Sequence, residues 1–255
     1  MQALHGHGNR QGSTGGHGHN YTQATSHGQG HSSVGAPATQ GRLIRYARVY
    51  DGIVWAMAMG RSRALRALPV DLADVRPGER VLEVGCGTGD VAMLAARRVG
   101  SQGRVYGIDA APEMVTEAQR KAHKAGLRVE FRVEPVEAMS FEDGSFDVVL
   151  SSLMMHHQPG DLKRRALVEI RRVLRPGGRL VIVDFQVPGR RLRPWEPGWL
   201  AMRRHGMDKA GAGQGRPGPE ALGELLREAG FGDVESGGTS SEWMGFARGV
   251  RPSEG

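Results

Sequence analysis

Between Val81 and Gly89 the chain reads Val-Leu-Glu-Val-Gly-Cys-Gly-Thr-Gly, a short apolar run with one embedded acid, Glu83, leading into three alternating glycines. A strand, such a loop and a following helix bring backbone N–H groups close to a nucleotide. Glycine suits the loop because a Cβ would hold the backbone away from a ligand and would resist a left-handed turn. Twenty residues past Gly89 stands Asp109, at the end of a second apolar run from Gly103 to Ile108. A carboxylate there can take both hydroxyls of a ribose. A glycine triplet alone says little. Strand, loop, helix and spaced acid together point to a nucleotide.

Spacing narrows the nucleotide. Dinucleotide folds use Gly-x-Gly-x-x-Gly, whose third small residue falls one position later than Gly89, and that position is Asp90. A pyrophosphate would meet a carboxylate where it needs positive potential. A phosphate-binding loop of the Gly-Lys-Ser/Thr type is absent. A ligand with an adenosine, no phosphate and a cationic amino-acid end remains, and Glu83 is a suitable partner for that end.

From about Arg42 onward these residues resemble the class I S-adenosylmethionine-dependent methyltransferases. Glu83 through Gly89 is similar to the family's first motif, and Asp109-Ala110-Ala111-Pro112-Glu113-Met114 to its ribose-binding segment. Ser140 through Val149 is similar to the turn into the fourth strand, and Leu174 through Leu180 to the turn into the fifth. Ser152-Leu153-Met154-Met155-His156-His157 most resembles the quinone-biosynthesis C-methyltransferases and the bacterial phosphatidylethanolamine N-methyltransferases. The resemblance implies an α/β, Rossmann-like, doubly wound sheet of seven strands with a terminal antiparallel strand, and S-adenosyl-L-methionine as cofactor. The implied cofactor contacts are Glu83, Gly85, Cys86, Gly87, Thr88, Gly89, Asp109, Ala110, Met114, Val136 and Ser152. One departure stands out. Where the family has Gly-Asp-Ala before the fourth strand, this chain has Glu134-Pro135-Val136, so the adenine is expected to meet the Val136 N–H and apolar Met114.

The end of the fourth strand decides which acceptors are excluded. Amino-methyltransferases of DNA and RNA carry an acid or Asn before Pro-Pro-aromatic there, and this chain carries Ser151-Ser152-Leu153-Met154. Cytosine C5 enzymes need a nucleophilic cysteine. Cys86 sits inside the glycine loop, where it neighbours the methionine portion of the ligand. Ribose methylation would want lysines at strand ends, and Lys121, Lys124, Lys163 and Lys209 lie elsewhere. A small-molecule, lipid-like or quinone-type acceptor is left, with two rivals: an RNA or protein methyltransferase, and a non-catalytic metal-handling protein. Methyl transfer from a sulfonium needs alignment and a dry pocket, and a base only if the acceptor arrives protonated. His156 is the expected base, with His157 and Tyr50 at the substrate. Asp184 reads as an ordinary strand-end acid.

The positioning elements follow from periodicity. Strands are expected near 80–84, 104–108, 128–133, 146–151 and 179–185, with helices near 88–98, 112–125, 161–173 and 218–229 and a closing hairpin. This alternation makes a parallel sheet covered on both faces. Residues 41–75 read as an N-terminal helical cap within a 41–255 domain, and 186–217 as a lid-like insertion. The cap's apolar face, fringed by Arg61, Arg63 and Arg66, also suits peripheral contact with a lipid surface. The net charge of +7 is carried almost wholly by arginine without a dense basic run, which argues against nucleic acid. One cysteine excludes an internal disulfide framework and fits the cytoplasm. Residues 1–40 are rich in His, Gly, Ser and Gln, lack core-forming side chains and are expected to be disordered. His5, His7, His17 and His19 offer adventitious metal affinity at most. Deleting residues 1–40 is therefore expected to leave thermal unfolding unchanged while removing most nickel or zinc binding. A clearly lowered melting temperature would show that the tail packs on the domain.

Overall fold

The computed structural model describes residues 62–186, 218–241 and 244–253. The tail, Tyr50, most of the 41–75 cap and the 186–217 insertion beyond Gln186 lie outside the described residues, as do the tail histidines. Helix α1 (Ser62–Leu72) leads into β1 (Arg80–Val84), α2 (Asp90–Val99), β2 (Arg104–Asp109), α3 (Pro112–Lys124) and β3 (Glu130–Val133). Then come β4 (Phe146–Ser152), a 3₁₀ turn (Met155–His157), α4 (Gly160–Val173) and β5 (Leu174–Phe185). Helix α5 (Pro219–Glu228), β6 (Gly232–Gly238) and β7 (Met244–Val250) close the fold. The strands form one seven-stranded sheet in the order β3-β2-β1-β4-β5-β7-β6. Pairings from β3 through β5 are parallel, and β7 runs antiparallel to both its neighbours.

A parallel strand covered on both faces should be apolar throughout, and the inner strands are. On one face Leu82, Val84, Ile108, Val149, Leu180 and Ile182 pack with Leu167 and Ile170 of α4 and Leu226 of α5. On the other, Val81, Val105, Val148, Leu150 and Val181 pack with Val70 of α1, Val91 of α2 and Ala118 of α3. Single-residue alternation of the two sets along each strand is what assigns the helices to their faces. Glu83 in β1 breaks this pattern while only 2% exposed.

Two expectations shift. Strand β3 starts at Glu130 rather than near residue 128. Strand β5 starts at Leu174, five residues early, because Leu174 already pairs with Phe146 across a register shift and the Gly177 N–H donates to Arg251 O at 2.8 Å. The Pro-Gly-Gly segment is thus absorbed into the strand. Helix α1 packs against the domain rather than standing clear of it: Arg66 pairs with Asp90 at 2.6 Å, and Arg98 with Asp71 at 2.7 Å.

The last loop glycine is a packing requirement. Gly89 is the N-cap of α2 at φ 81°, and a Cβ there would lie 2.7 Å from the Phe131 ring and 2.9 Å from Ala118. Gly89→Ala combines left-handed strain with overpacking and is expected to destabilise the fold by about 2–4 kcal/mol. Denaturant melts of Gly89→Ala and of the double variant with Phe131→Leu check this. The second change should restore the packing part and leave the backbone part. No recovery would place the cost elsewhere.

Candidate active site

The site lies beyond the carboxyl ends of β1, β2, β4 and β5, where the strand order reverses between β1 and β4. Crevices of open α/β sheets form at such switch points. A small cleft opens there, lined chiefly by Leu65, Arg66, Glu83, the Gly85–Thr88 loop, Asp90, Ser152 and Leu153. Glu83, Gly85, Cys86, Gly87, Thr88 and Ser152 are therefore brought together at one cleft.

Gly85 turns the chain at φ +65°, and a Cβ there would meet Met154 Cγ at 2.3 Å. The loop's first glycine is thus fixed by a β4-loop side chain. Asp109 does not line the cleft and acts through the loop. Its Oδ2 accepts the Gly87 N–H at 2.9 Å and its Oδ1 accepts the Ala111 N–H at 2.9 Å. One carboxylate so ties the glycine loop to the start of α3. Each oxygen keeps a further lone pair, which suits a vicinal diol. Burial raises the Asp109 carboxyl above its ordinary range, and the two N–H donors oppose that rise. Gly89, Ala110, Met114 and Val136 also stand outside the cleft lining. Met114 and Val136 are buried, and Gly89 serves packing.

Glu83 Oε2 accepts the Ala92 N–H of α2 at 2.7 Å. Burial drives its carboxyl well above the usual value, the Ala92 N–H works against this, and Asp90 and Asp109 add to it. Asp90 opens α2 between two cations, Arg66 at 2.6 Å and Lys121 at 2.5 Å, and Lys121 also donates to Thr88 Oγ1 at 3.1 Å. Leu65, Arg66 and Lys121 were not legible as site residues, because two separate helices, α1 and α3, bring them to the loop. Burial pushes the Cys86 thiol well up, which makes it a poor nucleophile.

After β4 the chain turns through Leu153, a non-glycine residue at φ 55° whose N–H donates to Val183 O at 2.9 Å. The turn lays Met155–His157 against β5. Here the expectation for Asp184 fails. It is 3% exposed and directly bonded to His156: Oδ2 accepts the His156 backbone N–H at 2.8 Å, and Oδ1 lies 2.5 Å from Nδ1. Burial alone would raise the Asp184 carboxyl, but the attraction and hydrogen bond of His156, with the backbone donors, hold it below the ordinary range. An acid inside the Val181–Phe185 apolar run was the available signal. The His156 ring is flanked by Phe185 at 5.1 Å and by His157 at 3.8 Å between centroids. Neither histidine lines the cleft. Among the described residues, no group of three or more His, Cys, Asp or Glu side chains is placed to hold a metal ion.

Residues 81–178 match the methyltransferase domain family. A demethylmenaquinone methyltransferase from Thermus thermophilus is 39% identical over 140 residues, covering 54% of this chain and 62% of its own length. A 2-phytyl-1,4-naphtoquinone methyltransferase from Synechocystis is 33% identical over 150 residues, covering 58% of this chain and 62% of its own. The chain thus spans less than two thirds of the length of these curated relatives. A solved S-adenosylmethionine-dependent methyltransferase from Aquifex aeolicus superposes with a TM-score of 0.58 at 21% identity, over 80% of this chain and 96% of that one. The switch-point cleft, the seven-stranded order and the matched segment carry one conclusion: the chain has the fold of the solved S-adenosylmethionine-dependent methyltransferase, and its residues 81–178 are similar to the methyltransferase domain family.

Proposed function

We propose that the chain transfers a methyl group from S-adenosyl-L-methionine to a small-molecule, lipid-like or quinone-type acceptor. The observation that carries this reading is the Asp109 carboxylate seated between the Gly87 and Ala111 N–H groups, beside a loop that admits no side chain at Gly85. The residues fit an adenosine with a charged amino-acid end. Asp109 would take the ribose hydroxyls, Glu83 the ammonium, and Cys86, Thr88 and Ser152 the intervening chain, with Ala110, Met114 and Val136 on the adenine side. When bound, the cofactor supplies a methyl group already activated on a sulfonium. The chain's own task is to hold an acceptor in line and exclude water. His156 is the candidate base, with Tyr50 and His157 proposed beside the acceptor.

The electrostatics of the surface support a small acceptor over RNA. Among the described residues the arginines are widely paired with acids: Arg76 with Asp74, Arg132 with Glu130, Arg172 with Glu169 and Asp143, Arg175 with Asp147, and Arg248 with Glu235. Paired charges leave little field for phosphates. No described helix is long and apolar enough to cross a membrane. The single, buried cysteine supports a reducing compartment, and we place the protein in the cytoplasm.

Two measurements test the reading. Asp109→Ala removes charge-assisted hydrogen bonds of about 1.5–3 kcal/mol each, so calorimetric affinity for S-adenosylhomocysteine should fall about tenfold or more. Unchanged affinity would remove Asp109 from the site. Glu83 tests the amino-acid end through pH. Its folded carboxyl titrates above the ordinary 4.5, so between that pH and its folded value the native state holds the extra proton and stability falls as pH rises. Glu83→Gln should therefore melt at or above the wild-type temperature, with a gap that widens from pH 4.5 upward. It should also bind S-adenosylhomocysteine more weakly. A variant that melts lower at every pH would show that the acid stabilises the fold.

A further inference from the structure

We propose that the cleft takes up its ligand by exchanging a proton for an ammonium at Glu83, so that each cofactor molecule bound displaces one proton from this carboxyl to solvent. The inference rests on the methyl-transfer reading above and deepens it, by giving the cofactor site an affinity that depends on pH.

The surroundings of Glu83 supply it with no counter-charge. Its side chain lines the cleft yet is 2% exposed, and one N–H, that of Ala92, donates to it at 2.7 Å. Its strand neighbours are Gly107 of β2 and Leu150 of β4, which carry no charge. From β2 and α2 it faces two more acids, Asp109 and Asp90, and from the loop the un-ionised Cys86 thiol. The cations at hand come from α1 and α3, and both are drawn to Asp90: Arg66 at 2.6 Å to one oxygen, Lys121 at 2.5 Å to the other. Among the described residues no cation pairs with Glu83. Burying an unpaired charge is costly, and a carboxyl so placed keeps its proton instead. The titration of Glu83 agrees: burial drives it well above the ordinary carboxyl range, Asp90 and Asp109 add to the rise, and the Ala92 N–H and Arg66 oppose it without cancelling it.

An ammonium set against this carboxyl reverses the balance. Glu83 gives its O–H proton to water, and the carboxylate so formed takes the ammonium as counter-ion and N–H donor. The ligand keeps its own protons, and the site gains no net charge. Asp90 is unsuited to the same exchange, because its carboxylate already has two cations. The ribose end at Asp109 brings no charge to exchange. Linkage sets the sign. The unligated Glu83 carboxyl titrates above the ordinary 4.5 and the paired one lower, so between those two values affinity rises with pH, by up to about tenfold per unit, and levels off above the unligated value. Cofactor and demethylated product carry the same ammonium. Through Glu83, pH therefore changes how full the site is and not which of the two fills it.

Calorimetric titration with S-adenosylhomocysteine in buffers of differing ionisation enthalpy counts the protons released. Between about pH 5 and 7, where the ligand's ammonium stays charged, wild type should release up to about one proton per ligand, with affinity rising in step. The desamino analogue of S-adenosylhomocysteine keeps the adenosine, thioether and carboxylate but lacks the ammonium, and should release none. That comparison needs no variant, so it stands even if a substitution at Glu83 fails to fold. Glu83→Gln keeps an acceptor for the Ala92 N–H and should bind S-adenosylhomocysteine with an affinity independent of pH, weaker than wild type at neutral pH and converging on it as pH falls. Binding without proton release, equal release with both ligands, or a pH slope that survives in Glu83→Gln would overturn the proposal. Equal release would move the proton to Asp109 at the ribose side. Failure of the wild type to bind S-adenosylhomocysteine at all would sink the methyl-transfer reading instead.

Discussion

The Asp109 carboxylate is the point on which the site hangs. It sits at the end of β2, yet its two oxygens are bonded to the Gly87 and Ala111 N–H groups, so it fixes the glycine loop of one βα unit against the start of the next helix. Backbone N–H groups at a loop this tight have no strand partner, and burying them unpaired would cost about 1–3 kcal/mol apiece. The acid satisfies them and is in turn held in place by them. Loop, Asp109 and the start of α3 are thereby one assembly rather than separate features.

Around that assembly the structure keeps acids where an apolar core would be more stable. Glu83 is buried with a single amide donor and a carboxyl pushed well above its usual value. Asp90 needs both Arg66 and Lys121 beside it. Asp184 is buried too, but its donors suffice to hold it below the ordinary range. The contrast separates two kinds of buried carboxylate. One, Glu83, has a single amide donor and stays protonated to higher pH. The other is fully served by His156 and Phe185 and acts on a neighbour.

Backbone strain marks the same region. Leu153 adopts a left-handed conformation at the end of β4, and Gly85 is pressed against Met154 in the same loop. Strain of this sort persists only where surrounding contacts over-determine it. Here the Val183 carbonyl and the Asp184 latch do so, and the loop that carries His156 is consequently held to β5 rather than left to drift over the cleft.

The sequence by itself determined the architecture and half of the site. Continuous apolar runs and amphipathic helices placed the five parallel strands and their helices, because the inner strands are apolar on both faces and local pattern alone reports that. The glycine loop was legible because positive φ at Gly85, Gly87 and Gly89 restricts the residue types that can stand there, and Glu83 and Asp109 because each is an acid set in or ending an apolar run. The partnerships were not legible. Nothing along the chain says that Asp184 meets His156, twenty-eight residues earlier, or that Arg66 and Lys121 converge on Asp90 from two different helices. Nor does it say that Gly89 serves Phe131 more than a ligand. These depend on register between β4 and β5 and on how α1 and α3 lie across the sheet. Long-range packing sets both, and only the tertiary structure decides them.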